Sequence, residues 1–267
     1  MKFKQILLFT LCITFFACST ESTENPDEKE ETEDSTLLKK TIETDSDGIT
    51  ETTIYTYDGN KLISVDYGDG WKNVYTYENE KLVREDQYAD NESVAYLTLE
   101  YNTNGKLSSI KEFFLEPSNL NGAHKYILKH NNDNSINIEI YSGDFNSQTN
   151  LFTTYTFSYN GKNIFKIEDD DISSPEYYNA IYDSKNGMFK NVNAIDVLNI
   201  ITELSEFSAP LYGSTNNPTS IAGIYHQESL DTFEYTYNDN NYPKTATYQD
   251  SYQGSINYTA TIEYFYE

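Results

Sequence analysis

A single hairpin unit, repeated, decides what this chain can fold into. A strand ending in Tyr-x-Tyr meets a short polar turn, and Lys-Leu opens the next strand. Tyr57 is followed by Asp58-Gly59-Asn60 and Lys61-Leu62, Tyr77 by Glu78-Asn79-Glu80 and Lys81-Leu82, and Tyr101 by Asn102-Thr103-Asn104-Gly105 and Lys106-Leu107. Weaker copies start at His130, Tyr159 and Tyr237. Asn, Asp and Gly supply the positive φ angles of tight hairpin turns, and the flanking Tyr, Thr, Ile, Val and Phe fit a pleated surface. Strands this close together, with no crossover helix between them, pair antiparallel as a meander. The first pair is predicted over Leu37 to Thr44 and Ile49 to Tyr57, joined by Asp45-Ser46-Asp47-Gly48, and the rhythm runs on to Ile167.

Alternation assigns the two faces of each strand. In Thr53-Ile54-Tyr55-Thr56-Tyr57 the tyrosines share one face, and Ile54 and Thr56 the other. Stacked in register, such strands would form cross-strand aromatic ladders, each pair contributing a few tenths to about 1 kcal/mol. The twenty-five tyrosines therefore read mainly as architecture. The alternative is an aromatic platform for a sugar ring. Trp71, the one tryptophan, follows Gly68-Asp69-Gly70 at a hairpin tip, and with Tyr55 and Tyr75 it makes the candidate ligand-binding set.

The rhythm breaks between about Ile172 and Glu228. Here Ala194, Leu198, Ile201 and Leu204 recur at three and four residues, with Ile195 and Phe207 beside them, which predicts an amphipathic helix over about 191–208. Asn193 is the expected N-cap, with Asp196 at N3, and Pro210 prevents continuation. A helix inside a meander is expected to plug or cover an open sheet face. The predicted fold is thus mainly all-β: an antiparallel meander of hairpin repeats, curved or barrel-like, packed on one helix, over residues 36–267 as a single domain. A β-propeller, with hairpins grouped into blades, is the alternative.

The first eighteen residues stand apart from that domain. Lys2 and Lys4 precede an apolar run from Ile6 to Phe16, and Ala17-Cys18 closes it. This resembles a bacterial lipoprotein signal, in which Cys18 would carry the lipid. Residues 19–35 contain no apolar side chain and read as a disordered acidic tether. Cys12 would leave with the signal, so thiol chemistry and thiolate metal sites are not expected in the folded body. A formal net charge of −25 argues against nucleic acid as a partner and against an anionic membrane surface held by charge. The membrane is expected as a partner through the lipid alone.

A family resemblance rests on the signal, the acidic tether, the Tyr-x-Tyr-turn-Lys-Leu units, Tyr182-Asp183 through Phe189, Ser214 to Asn217, and Tyr235 to Pro243. The chain resembles uncharacterised β-rich lipoproteins of Bacteroidota, a group that includes domain-of-unknown-function families related to YD/RHS repeats. The resemblance implies a β fold and an outer-membrane, lipid-anchored location, at the cell surface or otherwise on the periplasmic face. It implies no catalytic residue.

Chemical sites are sparse. His124 and His130 lie on one face of one strand, roughly 20 Å apart, too far to share a metal. Glu168-Asp169-Asp170-Asp171 is the candidate metal loop, for Ca²⁺, though it lacks the spaced pattern of a calcium-binding loop. No other cofactor is expected. The expected role is non-enzymatic: a binding or scaffold module for a glycan or an envelope protein. A carboxylate-dependent, calcium-assisted hydrolase and an envelope-assembly component are the alternatives.

Overall fold

The computed structural model describes residues 36–115, 122–169, 177–205, 213–223 and 228–267. The signal, Cys18 and the tether lie outside the described residues, as do Asp170, Asp171, Phe207 and Pro210. The first strands are β1 Leu38–Asp45, β2 Thr50–Asp58, β3 Lys61–Asp66, β4 Trp71–Glu78, β5 Lys81–Ala89, β6 Glu92–Tyr101, β7 Leu107–Phe114 and β8 Gly122–His130. They continue as β9 Ser135–Asp144, β10 Gln148–Asn160, β11 Asn163–Asp169, β12 Tyr177–Tyr182, β13 Pro218–Ala222, β14 Ser229–Tyr237, β15 Pro243–Tyr252 and β16 Ser255–Tyr266, with the helix α1 Ile195–Leu204 between β12 and β13. Each strand pairs antiparallel with its neighbours in sequence, and β16 returns to β1, so the sheet is a closed sixteen-stranded barrel. Continuous pairing excludes the propeller, whose blades would be separate sheets.

The barrel has two unlike ends. Tight turns at 59–60, 79–80 and 161–162 lie at one, together with the start of β1 and the end of β16, where Leu37 and Glu267 exchange backbone hydrogen bonds of 3.1 Å. The other carries the β1–β2, β3–β4 and β5–β6 connections and the longer loops. We call them the turn end and the loop end.

At the turn end the repeat acquires a mechanical meaning. The residue after Lys-Leu is a β-bulge: Tyr57 pairs Leu62 while Thr56 pairs Ser64, and the same skip recurs opposite Tyr77, Tyr101, Tyr159 and Tyr237. A bulge adds twist and interrupts the ladder. The carbonyl just before it is met by an aromatic donor on the next strand. Tyr101 Oη donates to Leu82 O at 2.6 Å and Tyr182 Oη to Ile164 O at 2.7 Å. His130 stands in a tyrosine position and makes the equivalent 2.7 Å bond from Nε2 to Leu107 O. By contrast the buried Tyr57 hydroxyl has no partner. Tyr101→Phe should therefore cost about 1 kcal/mol in chemical denaturation, and Tyr57→Phe nothing. Equal losses would show that the rings alone matter.

The tyrosine-on-tyrosine ladder does not form. Tyr55 and Tyr57 face Val65 and Leu62, and Tyr75 and Tyr77 face Glu85 and Leu82. Tyr-x-Tyr falls on strands that lead into a turn, so tyrosines interleave with the Leu and Val of the strands that leave it.

Inside the barrel runs α1, buried at Ile195, Val197, Leu198, Asn199, Ile200, Ile201 and Thr202. A helix encircled by sheet is buried almost all round, not along one stripe. Its start differs from expectation. Ala194, in the left-handed region at φ 56°, precedes the first helical residue and makes no side-chain cap. Asn193 instead fastens the helix to the turn end, its amide N–H bonding Asn60 O at 2.8 Å and its side chain Glu80 O at 3.2 Å. Around it the β12–β13 connection forms a cap over the turn end. The two segments singled out by the resemblance are stitched together there: Gly187 N–H donates to Thr215 O at 2.8 Å, and Met188 N–H to Asn217 Oδ1 at 3.1 Å. Gly187 is required, because a Cβ would stand 2.2 Å from Gly213 O.

Candidate functional site

Register settles which residues face water. One outward row crosses Thr52, Ile42, Glu263, Thr245 and Thr236. Another crosses Thr76, Arg84, Thr98, Lys111 and Lys125. The inward positions hold Leu62, Val65, Tyr75, Leu82, Leu97 and Ile110, with α1 packed on them. The barrel is thus polar outside and filled inside.

On the outer face at the loop end, a cleft of about 430 Å³ lies where β3, β4 and β5 end. Asp66, Lys72 and Tyr88 form one outward cross-strand row along it. The turns add Gly70, Asp90 and Asn91, and Trp71 also borders it. An aromatic ring beside carboxylates, an amide and an ammonium group suits a hydroxyl-rich ligand, whose carbon face packs on the ring while its hydroxyls bond the rim. The sequence pattern singles out Trp71 but not Tyr88. It also groups Tyr55 and Tyr75 with Trp71, and the structure separates them: Tyr75 is 2% exposed, and Tyr55 packs edge-on against Phe189 with ring centroids 5.3 Å apart. Alternation carries both rings into the lumen.

The metal candidate is divided by the same alternation. Glu168 points outward and pairs with Lys166 at 2.5 Å, whereas Asp169 points inward and accepts from Thr153 Oγ1 at 2.6 Å. Asp170 and Asp171 lie outside the described residues. Among the described residues no three His, Asp or Glu side chains converge as metal ligands.

A polar network within the lumen has no counterpart in the sequence pattern. Gln87 Nε2 donates to Glu85 Oε1 at 3.2 Å and to Ser205 Oγ at 2.8 Å. Ser205 Oγ donates to Glu112 Oε1 at 2.9 Å, and Tyr126 Oη to Glu112 Oε2 at 2.6 Å. Glu85, Gln87 and Glu112 have no exposed surface. His124, isolated by its spacing in the sequence, approaches this group, its Nδ1 3.9 Å from Glu112 Oε2. Since Ser205 ends α1, the network fastens the inner tip of the helix to three strands of the wall.

On the opposite wall Asp231 and Asp250 face each other across β14 and β15, pointing inward. Like charges directly opposite are unfavourable. Burial, then the neighbouring Asp250 charge, pushes the Asp231 carboxyl up to about 6.

No protein-family model matches the chain, and no curated protein is significantly similar to it in sequence. Solved structures similar to it in fold include a porin-like protein from Bacteroides uniformis ATCC 8492, 13% identical, with a TM-score of 0.41 over 86% of this chain and 96% of that one. Another is a porin-like protein from Bacteroides vulgatus ATCC 8482, 12% identical, with a TM-score of 0.47 over 87% of this chain and 99% of that one.

Proposed function

We propose that the chain is a lipid-anchored envelope protein of the outer membrane whose barrel stands in water as a non-enzymatic binding module, with the loop-end cleft as its glycan site. The observation that carries this reading is the polarity of the wall. A spanning barrel needs an apolar outer band and a wet or gated lumen. Here Arg84, Lys111 and Lys125 lie on one outward row near mid-strand, and each basic side chain would cost roughly 2–4 kcal/mol at the centre of a bilayer. The lumen, for its part, is occupied by α1 and its aliphatic contacts. Attachment through Cys18 and the resemblance to Bacteroidota lipoproteins support the location.

The test is a glycan panel screened with the full chain and with Tyr88→Ala. Saturable binding to at least one glycan is expected, weakened about tenfold or more by loss of the ring. Binding that Tyr88→Ala leaves unchanged would remove the cleft assignment, and silence across the panel would favour a protein partner. Stepwise conductance in a planar bilayer would refute the water-standing barrel itself.

A further inference from the structure

At the turn end a crevice of about 270 Å³ opens between α1 and the wall formed by β7 to β11. Its apolar surface comes from Leu107, Ile136, Val197 and Ile200, and its rim carries Lys106, Lys162 and Asp196. The repeat places lysines all round this end, but they are not equivalent. Lys61 pairs with Glu80 at 2.5 Å and Lys81 lies 4.9 Å over the Tyr101 ring. Lys106 and Lys162, the two on the crevice, have no ion-pair or ring partner among the described residues.

The helix presents a polar stripe to the same side. Asp196, Asn199 and Glu203 recur at three and four residues, with Ile200 among them. Asn199 is 6% exposed and its amide oxygen has no hydrogen-bond partner. Tyr159, on the facing wall, lies within electrostatic reach of both Asp196 and Glu203, and its buried hydroxyl also lacks a partner. Each unsatisfied buried group costs about 1–3 kcal/mol. Two of them beside one cavity, one on the helix and one on the wall it faces, indicate a place built for an occupant.

Charge selects the class of occupant. The rim carries both signs, so a full anion meets Asp196 and a full cation meets the lysines. A neutral molecule whose groups both donate and accept meets neither penalty. We infer that this crevice is a second binding site, independent of the loop-end cleft, for a neutral polyol of monosaccharide size. Its hydroxyls bond the Asn199 amide oxygen and the Tyr159 hydroxyl, and its carbon face lies on Leu107, Ile136 and Val197.

The experiment is saturation-transfer NMR on the full chain with glucose, galactose, mannose, fucose and myo-inositol as separate probes. Asn199→Leu and Tyr159→Phe are the test variants. Each removes a polar atom that bonds nothing in the free protein, so both are expected to fold, as thermal melts would verify. The expected result is saturable binding of at least one probe, weakened about tenfold in each variant and unchanged by Tyr88→Ala. No saturable binding, or binding equal in wild type and both variants, overturns the proposal. Binding lost only in Tyr88→Ala belongs to the outer cleft and overturns it as well, while leaving the first reading intact.

Discussion

Replacing Asp231 by Asn and Glu203 by Gln is expected to make the barrel more stable at about pH 8 and no more stable at about pH 3. Burial raises the Asp231 carboxyl from 3.8 to about 6, with Asp250 adding to the rise, and burial alone raises Glu203 from 4.5 to about 8. Both groups bind their proton more tightly in the folded chain than in the unfolded one. Their contribution is therefore full below the unfolded values and is lost as pH rises through the folded ones. For Asp231 the loss falls between 3.8 and about 6, and for Glu203 between 4.5 and about 8. Each tenfold gain in proton affinity on folding corresponds to about 1.36 kcal/mol. With allowance for partial solvation, we expect about 2 kcal/mol for Asp231 and about 3 kcal/mol for Glu203. The two lie on different elements, so their effects should add. Urea titrations at intervals from about pH 4 to about pH 9 measure this directly. Wild-type stability should fall across that range and the double variant should stay nearly level. A wild type that is level throughout would mean that both carboxylates are solvated.

The fold was legible because its information is local. Asp58-Gly59-Asn60 and its copies fix hairpins, hairpins without crossovers fix a meander, and Leu198 and Ile201 at helical spacing in an otherwise β chain fix something for the sheet to enclose. Closure was not readable, because it depends on β16 finding β1 across the whole sequence. The interior chemistry was hidden by one residue per repeat. Counted straight from Leu82, strict alternation puts Arg84 and Asp86 inside. The bulge at Val83 reverses the faces, so Glu85 and Gln87 enter the lumen while Arg84 and Asp86 pair on the surface at 2.5 Å. The same skip after Leu107 brings Ile110 and Glu112 inward. Trp71 was visible as a lone aromatic at a turn, but Tyr88 became its neighbour only through the Lys72–Tyr88 register. Asn193 carried the composition of a cap, yet the turns at Asn60 and Glu80 hold it more effectively than the helix does.

Leu198→Ala should lower the unfolding free energy by about 3–5 kcal/mol, the upper part of the range for removing a buried leucine. Leu198 has no exposed surface and lies in the middle of α1, with the wall around it. The size of the loss depends on whether neighbours can move into the space. In a helix bundle they often can, since helices slide. Here the wall is a closed ring of backbone hydrogen bonds, and its circumference is set by strand number and stagger. The helix is also held at both ends, by Asn193 at the turn end and by Ser205 in the Glu112 network. Neither partner can approach the other, so the cavity persists and its cost is retained. The control is Leu151→Ala on β10, where the leucine is 59% exposed and no measurable loss is expected. Denaturant midpoints with unchanged slopes would report stability alone. A loss below about 1 kcal/mol at Leu198 would mean that the wall stands without its helix. The helix would then be a removable plug and not a core, and the lumen would regain the capacity to open.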